Sequence, residues 1–192
     1  MRILYYDCFA GISGDMNLGA LLDLGVDEKH LRNELAKLSL KGYDLRISHD
    51  IRKGISGTRV EVTLVPEQDH THQPRHDHSH GESKPVHTHG HEAHQDHRTY
   101  REIKQMIRDS ALSREVKETS LHIFERIARA EAKIHNKAED EIHFHEVGAV
   151  DSIVDIVGAA ICLQALAPDT ILASTVELGS GFVQCAHGTY PV

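Results

Sequence analysis

The chain has 192 residues, enough for one sizeable core with or without an appendage, and its 40% hydrophobic and 26% charged residues describe an ordinary soluble globular protein. A net charge of −8 sets it against nucleic acid as main partner, which calls for basic patches, and 5% aromatics without tryptophan make no stacking platform for bases. No apolar run approaches the ~18 residues that span a bilayer, MRILYYDCFAG lacks a signal-peptide stretch, and Cys8, Cys162 and Cys185 form neither a CxxC pair nor a disulfide framework. The expected setting is therefore a reducing cytoplasm, away from membranes.

Arg2 to Tyr6 is an apolar run of strand length, followed by a loop from Asp7 to Asp15 with glycines at 11 and 14. Ser13 is placed to cap the next helix, with Asp15 in its first turn opposing the dipole. Met16, Ala20, Leu21 and Leu24 follow at helical spacing and Gly25 is a stop; Asp27 then caps a helix carrying Leu31, Leu35 and Leu38. The period changes to two at Tyr43, Leu45, Ile47, His49 and Ile51, which predicts a strand with one apolar face and His49 on it. Arg52 to Gly57 is read as the turn and Thr58 to Val65 as the returning strand.

Next comes HTHQPRHDHSHGESKPVHTHGHEAHQDH, residues 70–97, with ten of the chain's 17 histidines. Almost nothing in it can fill a core, while neutral imidazole is the commonest protein ligand for divalent transition ions. A solvated linker or a tag would be the bland account. Tags are unbroken terminal runs, and this segment is internal with Asp, Glu and Thr interspersed. Residues 67–97 are therefore expected to be a flexible metal-binding insert, with His76, His78, His80, His87, His89 and His91 as ligands, in one α+β domain made of residues 1–66 and 98–192.

Thr99 to Glu102 has the form of a capping box, with Ile103, Met106 and Ile107 continuing the helix it opens. Ser113 opens a longer helix with Val116, Ile123, Phe124, Ile127 and Ile134 facing inward. Asp151 is read as the cap of a last helix, Ile153 to Ala167, apolar nearly all round and hence central. Thr170 to Val176 reads as a buried strand. Grouped, these elements give α+β with helices on a mixed sheet, close to the split β-α-β-β-α-β pattern of ferredoxin-like sandwiches. The Gly-rich end, from Glu177 through Cys185 and His187 to Val192, reads as the start of a further unit, so one half of a longer or split protein is expected.

Two constellations could carry chemistry. His143 and His145 project to the same side of an extended segment, Glu146 adds a carboxylate, and Asp151 and Asp155 stand one helical turn apart. An ionised Asp155 in an apolar helix is costly unless paired or ligated. Imidazoles with carboxylates suit nickel, zinc, manganese or iron alike. Taken singly, Asp151 could be a plain cap, Asp155 the partner of an arginine and the histidines loop residues; their density favours a site. The second is the loop from Asp7 to Asp15, a strand-to-helix turn whose N–H groups could seat a phosphate. It matches neither dinucleotide fingerprint nor P-loop, and Asp7 and Asp15 would repel a bare phosphate unless a metal or cationic ring offsets them. Cys185 and His187 could add a thiolate–imidazole ligand pair or simply belong to a surface loop.

YYDCFAGISGDMNLGALLDLG, HFHEVGAVDSIVDIVG and GSGFVQCAHGTYPV together resemble the N-terminal half of the LarC family, the nickel insertion proteins of nickel-pincer cofactor biosynthesis. The resemblance covers essentially the whole chain. It implies CTP-dependent nickel insertion into pyridinium-3,5-bisthiocarboxylic acid mononucleotide, a cyclometallase activity of the lyase class, yielding the cofactor of lactate racemase. CTP, with Mg²⁺ or Mn²⁺, would belong mainly to the C-terminal half, so this half would be incomplete alone. The implied partners are the pyridinium mononucleotide, that C-terminal half, the lactate racemase apoenzyme and a second copy of the chain. Carried over onto matching positions are Asp7, Gly14 and Asp15 for the mononucleotide, His143, His145 and His187 for nickel, and Glu146 and Asp151 as the base that takes the ring proton. A non-catalytic nickel or zinc reservoir, or metallochaperone, needs only the His tract. A metal-dependent phosphohydrolase using Asp7, Asp15, His143 and His145 is the third reading.

Overall fold

The computed structural model describes residues 1–65, 98–144, 147–185 and 188–192. The His tract, and with it His76, His78, His80, His87, His89 and His91, lies outside the described residues, as do His145, Glu146 and His187. In chain order the elements are β1 (Ile3–Tyr6), α1 (Gly14–Asp23), α2 (Glu28–Leu35), β2 (Tyr43–Arg52), β3 (Ile55–Leu64), α3 (Tyr100–Asp109), α4 (Arg114–His135), a 3₁₀ turn (Glu139–Glu141), α5 (Val150–Leu166), β4 (Thr170–Ala173), β5 (Phe182–Cys185) and β6 (Gly188–Pro191). No helix among the described residues is long and apolar enough to cross a membrane.

The centre is α5. Its apolar residues on every face, with Ile153, Val154, Val157, Ile161 and Cys162 fully buried, let α1, α2 and α4 pack around it. Burial of this kind, in the absence of water, pushes the Cys162 thiol up to about 12 and makes it packing, not chemistry. The stripe of α4 facing inward, at four-residue steps, is Val116, Ser120, Phe124, Ala128 and Ala132, while Ile134 stands 78% exposed, against the expectation. Ile134 lies two residues past Ala132, nearly opposite it around the helix, and so falls off the buried stripe. The capping box is complete: the Thr99 hydroxyl accepts from the Glu102 N–H, and the Glu102 carboxylate accepts from the Thr99 N–H. Asp27 and Ser113 cap α2 and α4 as their positions predict.

The class is α+β, with parallel and antiparallel pairing both present. The expected single mixed sheet is divided among three two-stranded sheets: β1 with β4 in parallel, and the hairpins β2–β3 and β5–β6. Among the described residues no ladder joins the β2–β3 hairpin to β1–β4, so the ferredoxin-like split sheet is not assembled. The hairpin turn is shorter than its two glycines suggested. Only Lys53 and Gly54 lie between the strands, both at positive φ as a type I′ turn requires, and β3 begins at Ile55. His49 is exposed, not a core histidine, because the apolar face of β2 is covered only as far as Ile47. β4 is exposed along its length and stops at Ala173, where a buried strand to Val176 was expected; among the described residues only β1 pairs with it. Helix α5 starts at Val150 on an Ala149 cap, so Asp151 lies in the first turn instead of capping it.

Candidate functional site

Two glycines set α1 where it is. A Cβ on Gly14 would lie 2.0 Å from Oδ2 of Asp155, and a Cβ on Gly19 would lie 2.3 Å from the Thr58 carbonyl oxygen. Glycine alone permits these approaches, so α1 is wedged between α5 on one side and β3 on the other. Asp15, Gly19 and Asp23 fall at four-residue steps on the face toward β3. Asp23 fastens that face: its carboxylate accepts from the Thr58 N–H at 2.9 Å and from the Thr58 hydroxyl at 2.6 Å. Those hydrogen bonds, the hydroxyl's first, hold Asp23 below the usual carboxylate range.

The loop before α1 is tied to the segment after β4. The Ser174 N–H donates to the Tyr6 carbonyl at 2.9 Å, the Cys8 N–H donates to the Ser174 hydroxyl at 2.8 Å, and the Glu177 N–H reaches the Cys8 carbonyl at 3.1 Å. Cys8 is buried at 4% exposure and behaves as a small apolar residue. Ser13 caps α1 by backbone geometry only; its hydroxyl donates instead to the Asp15 carboxylate.

Asp155 is the residue the fold handles least cheaply. It points from the second turn of α5 into the notch left by Gly14, and its Oδ1 is buried without a hydrogen-bond partner. Burial first, then the neighbouring charges of Asp151 and Asp15, push its carboxyl up to about 6. Asp151, exposed in the first turn of α5, accepts from the Ser152 N–H at 2.8 Å, and Asp15 is exposed at the start of α1. Three carboxylates thus gather at one helix N-terminus with no cationic side chain bonded to any of them among the described residues. Such a place attracts a cation. Among the described residues, however, no group of three His, Cys, Asp or Glu has the spacing to hold a metal ion. A cation whose charge is spread over several atoms suits three separated carboxylates better than a single small ion.

The other expected site residues are distributed around this centre. Asp7 is exposed on the wall of a cavity of about 200 Å³ beside Cys8, Met16 and Asn17. His143 is exposed and lines a different cavity, of about 210 Å³, with His135 and Lys137. Its backbone bridges to Thr99, and its side chain lies near enough to Glu102 to help hold that carboxylate low, after the two Thr99 hydrogen bonds. No hydrogen bond, ion pair or shared cavity joins His143 to Asp15, Asp151 or Asp155 among the described residues. Sequence reasoning missed Asn17, whose buried Oδ1 has no partner; a lone amide among Met16, Leu18 and Leu21 was the available signal. It also missed Arg98, whose Nη1 is buried without a partner, and nothing in the local pattern marks it.

Comparison with known proteins adds an independent line. A family model described as "Nickel insertion protein" matches residues 4–192. The pyridinium-3,5-bisthiocarboxylic acid mononucleotide nickel insertion proteins of Clostridium kluyveri, Clostridium acetobutylicum and Akkermansia muciniphila are 51%, 53% and 50% identical to this chain over its whole length. The chain spans 45%, 47% and 43% of those relatives, respectively, less than half of each. No solved structure matches it.

Proposed function

Because this chain belongs to the nickel insertion protein family, we propose that it acts in nickel insertion into pyridinium-3,5-bisthiocarboxylic acid mononucleotide, the activity its relatives' names carry. The observation that carries the reading for these residues is Asp155: a half-buried carboxylate whose Oδ1 is buried without a hydrogen-bond donor, flanked by Asp15 and Asp151. A pyridinium ring supplies the delocalised positive charge such a seat lacks, and its arrival would favour the ionised form of Asp155. Gly14 keeps the notch open, and Asp7 borders the adjoining cavity.

Nickel is the second substrate. In this reading the His tract, through His76, His78, His80, His87, His89 and His91, raises the local concentration of Ni²⁺, and His143, His145 and His187 hand it on. Forming a nickel–carbon bond replaces a ring C–H, so one proton must leave as the metal arrives; Asp151 or Glu146 accepts it. CTP with Mg²⁺ or Mn²⁺ is the expected co-substrate of the whole protein, classed as a lyase and serving maturation of lactate racemase in the cytoplasm. The loop from Asp7 to Asp15 does not fit a triphosphate, because it has two carboxylates and no lysine. No step through CTP is therefore assigned to this chain.

The test uses a protein of the relatives' full length, assayed for cofactor formation by activation of apo-lactate racemase. Asp155→Asn keeps the shape and removes the charge, and a loss on the order of 10²-fold is expected. Unchanged cofactor formation would discard the acidic seat. A second reading, a nickel reservoir, is favoured by the ten histidines between His70 and His97. Deleting residues 67–97 separates the two: an insertase still works at saturating nickel, whereas a reservoir loses its function.

A further inference from the structure

The seat for the ring leaves the other end of the substrate unplaced. A mononucleotide carries a phosphate, and the N-terminus of α1, though it offers N–H groups, is ringed by Asp15, Asp151 and Asp155. Beside it a groove of about 680 Å³ runs from Asp15 and Met16 across the β2–β3 hairpin to Arg52 and Arg59. That volume lies in the range of small-molecule sites, about 300–1,000 Å³. The packing of Gly19 on Thr58 is what brings the hairpin alongside the helix.

The two arginines converge. Arg52 Nε donates to Asp50 Oδ2 at 3.2 Å, and Arg59 Nη1 stands 4.0 Å from the same oxygen, with Arg59 also paired to Glu61. One carboxylate thus draws together two guanidinium groups that belong to facing strands. Asp50 stays ionised, held below the usual carboxylate range chiefly by the Arg52 hydrogen bond. These pairs are exposed and screened, and each guanidinium has five N–H donors, most of them uncommitted here. A phosphate dianion meets such forks two bonds at a time and carries about twice a carboxylate's charge, so it can compete with Asp50 and Glu61 for them.

We infer that this groove binds a zwitterionic nucleotide lengthwise, Arg52 and Arg59 taking its phosphate and Asp15 facing its cationic ring. The inference rests on the reading above that the substrate is a pyridinium mononucleotide. The groove carries Asp15 at the helix and, at the hairpin, two arginines beside Asp50 and Glu61, so its guanidinium donors lie at the end away from Asp15, where that ligand's phosphate would reach.

The experiment is calorimetric titration of the chain with nicotinic acid mononucleotide and, separately, with nicotinic acid riboside, which keeps the pyridinium and lacks the phosphate. The wild-type chain is expected to bind the mononucleotide more tightly. The R52Q/R59Q double variant is expected to lose at least about tenfold in mononucleotide affinity and nothing in riboside affinity. R52K/R59K, which keeps the charge but not the fork, should fall between them and guards against a folding defect. Equal loss for both ligands, unchanged mononucleotide affinity, or no wild-type preference for the phosphorylated ligand overturns the assignment. Those outcomes leave the nickel insertion reading in place, because it stands or falls on cofactor formation by the Asp155→Asn variant.

Discussion

Asp155 and His143 are twelve residues apart in sequence and belong to opposite kinds of environment. Asp155 sits where two helices nearly touch, in a notch that exists because residue 14 has no side chain, and it is denied both water and a donor at Oδ1. His143 occupies an extended segment in which Phe144 turns inward, edge-on to Tyr100 at 6.1 Å and tilted against Phe124 at 6.3 Å, so its neighbour is turned out to solvent. The fold spends stability to keep one group and nothing to keep the other. A polar residue held at a cost marks function more sharply than one that a solvated segment carries freely.

Four substitutions bear on that contrast, and the largest effect belongs to its apolar anchor. Phe144→Ala should cost about 3–5 kcal/mol in denaturant unfolding, since a ring 1% exposed leaves a cavity among Tyr100, Phe124 and α3. Gly14→Ala should cost about 1–3 kcal/mol by forcing Asp155 aside, and the cost should shrink when combined with Asp155→Ala. Additive costs in that double-mutant cycle would break the claim that residue 14 is small for the sake of Asp155. Asp155→Asn should stabilise the protein. With the folded carboxyl near 6 against 3.8 for its ordinary value, the folded state holds its proton longer, so stability falls as pH rises from about 4 to about 6 and stays reduced above. Discounted for partial exposure, the gain is on the order of 1 kcal/mol, about 2–4 °C in Tm at pH 7 and near zero at pH 4. A melting series across that range decides it. His143→Ala should change stability by less than about 0.5 kcal/mol; a larger loss would mean that His143 is held in place after all.

Much of the framework was readable along the chain. The capping box at Thr99–Glu102, the Asp27 and Ser113 caps and the all-round apolar character of α5 each express a local rule, and each is present. Where the reading slipped, a tertiary fact was the reason. His49 shares the apolar face of β2 by alternation, but that face is exposed beyond Ile47. Thr170 to Ala173 has the composition of a buried strand and is exposed because β1 is its sole partner among the described residues. The candidate site was half legible: Asp15, Asp151 and Asp155 stood out as carboxylates in awkward places, whereas Asn17, Arg98 and the Arg52–Arg59 pair did not.

Local chemistry settled the main helices and the long hairpin, the caps at Asp27, Thr99 and Ser113, and that imidazoles crowd residues 70–97, because those features depend only on near neighbours in the chain. It also carried the family motifs. What required the folded molecule was adjacency: that Gly14 makes room for a carboxylate from a helix more than a hundred residues away, that Asp15 shares a groove with two arginines, and that His143 turns away from both. Electrostatic fields and packing act through space, and the distances that set them exist only after α1, α5 and the hairpin have closed on one another.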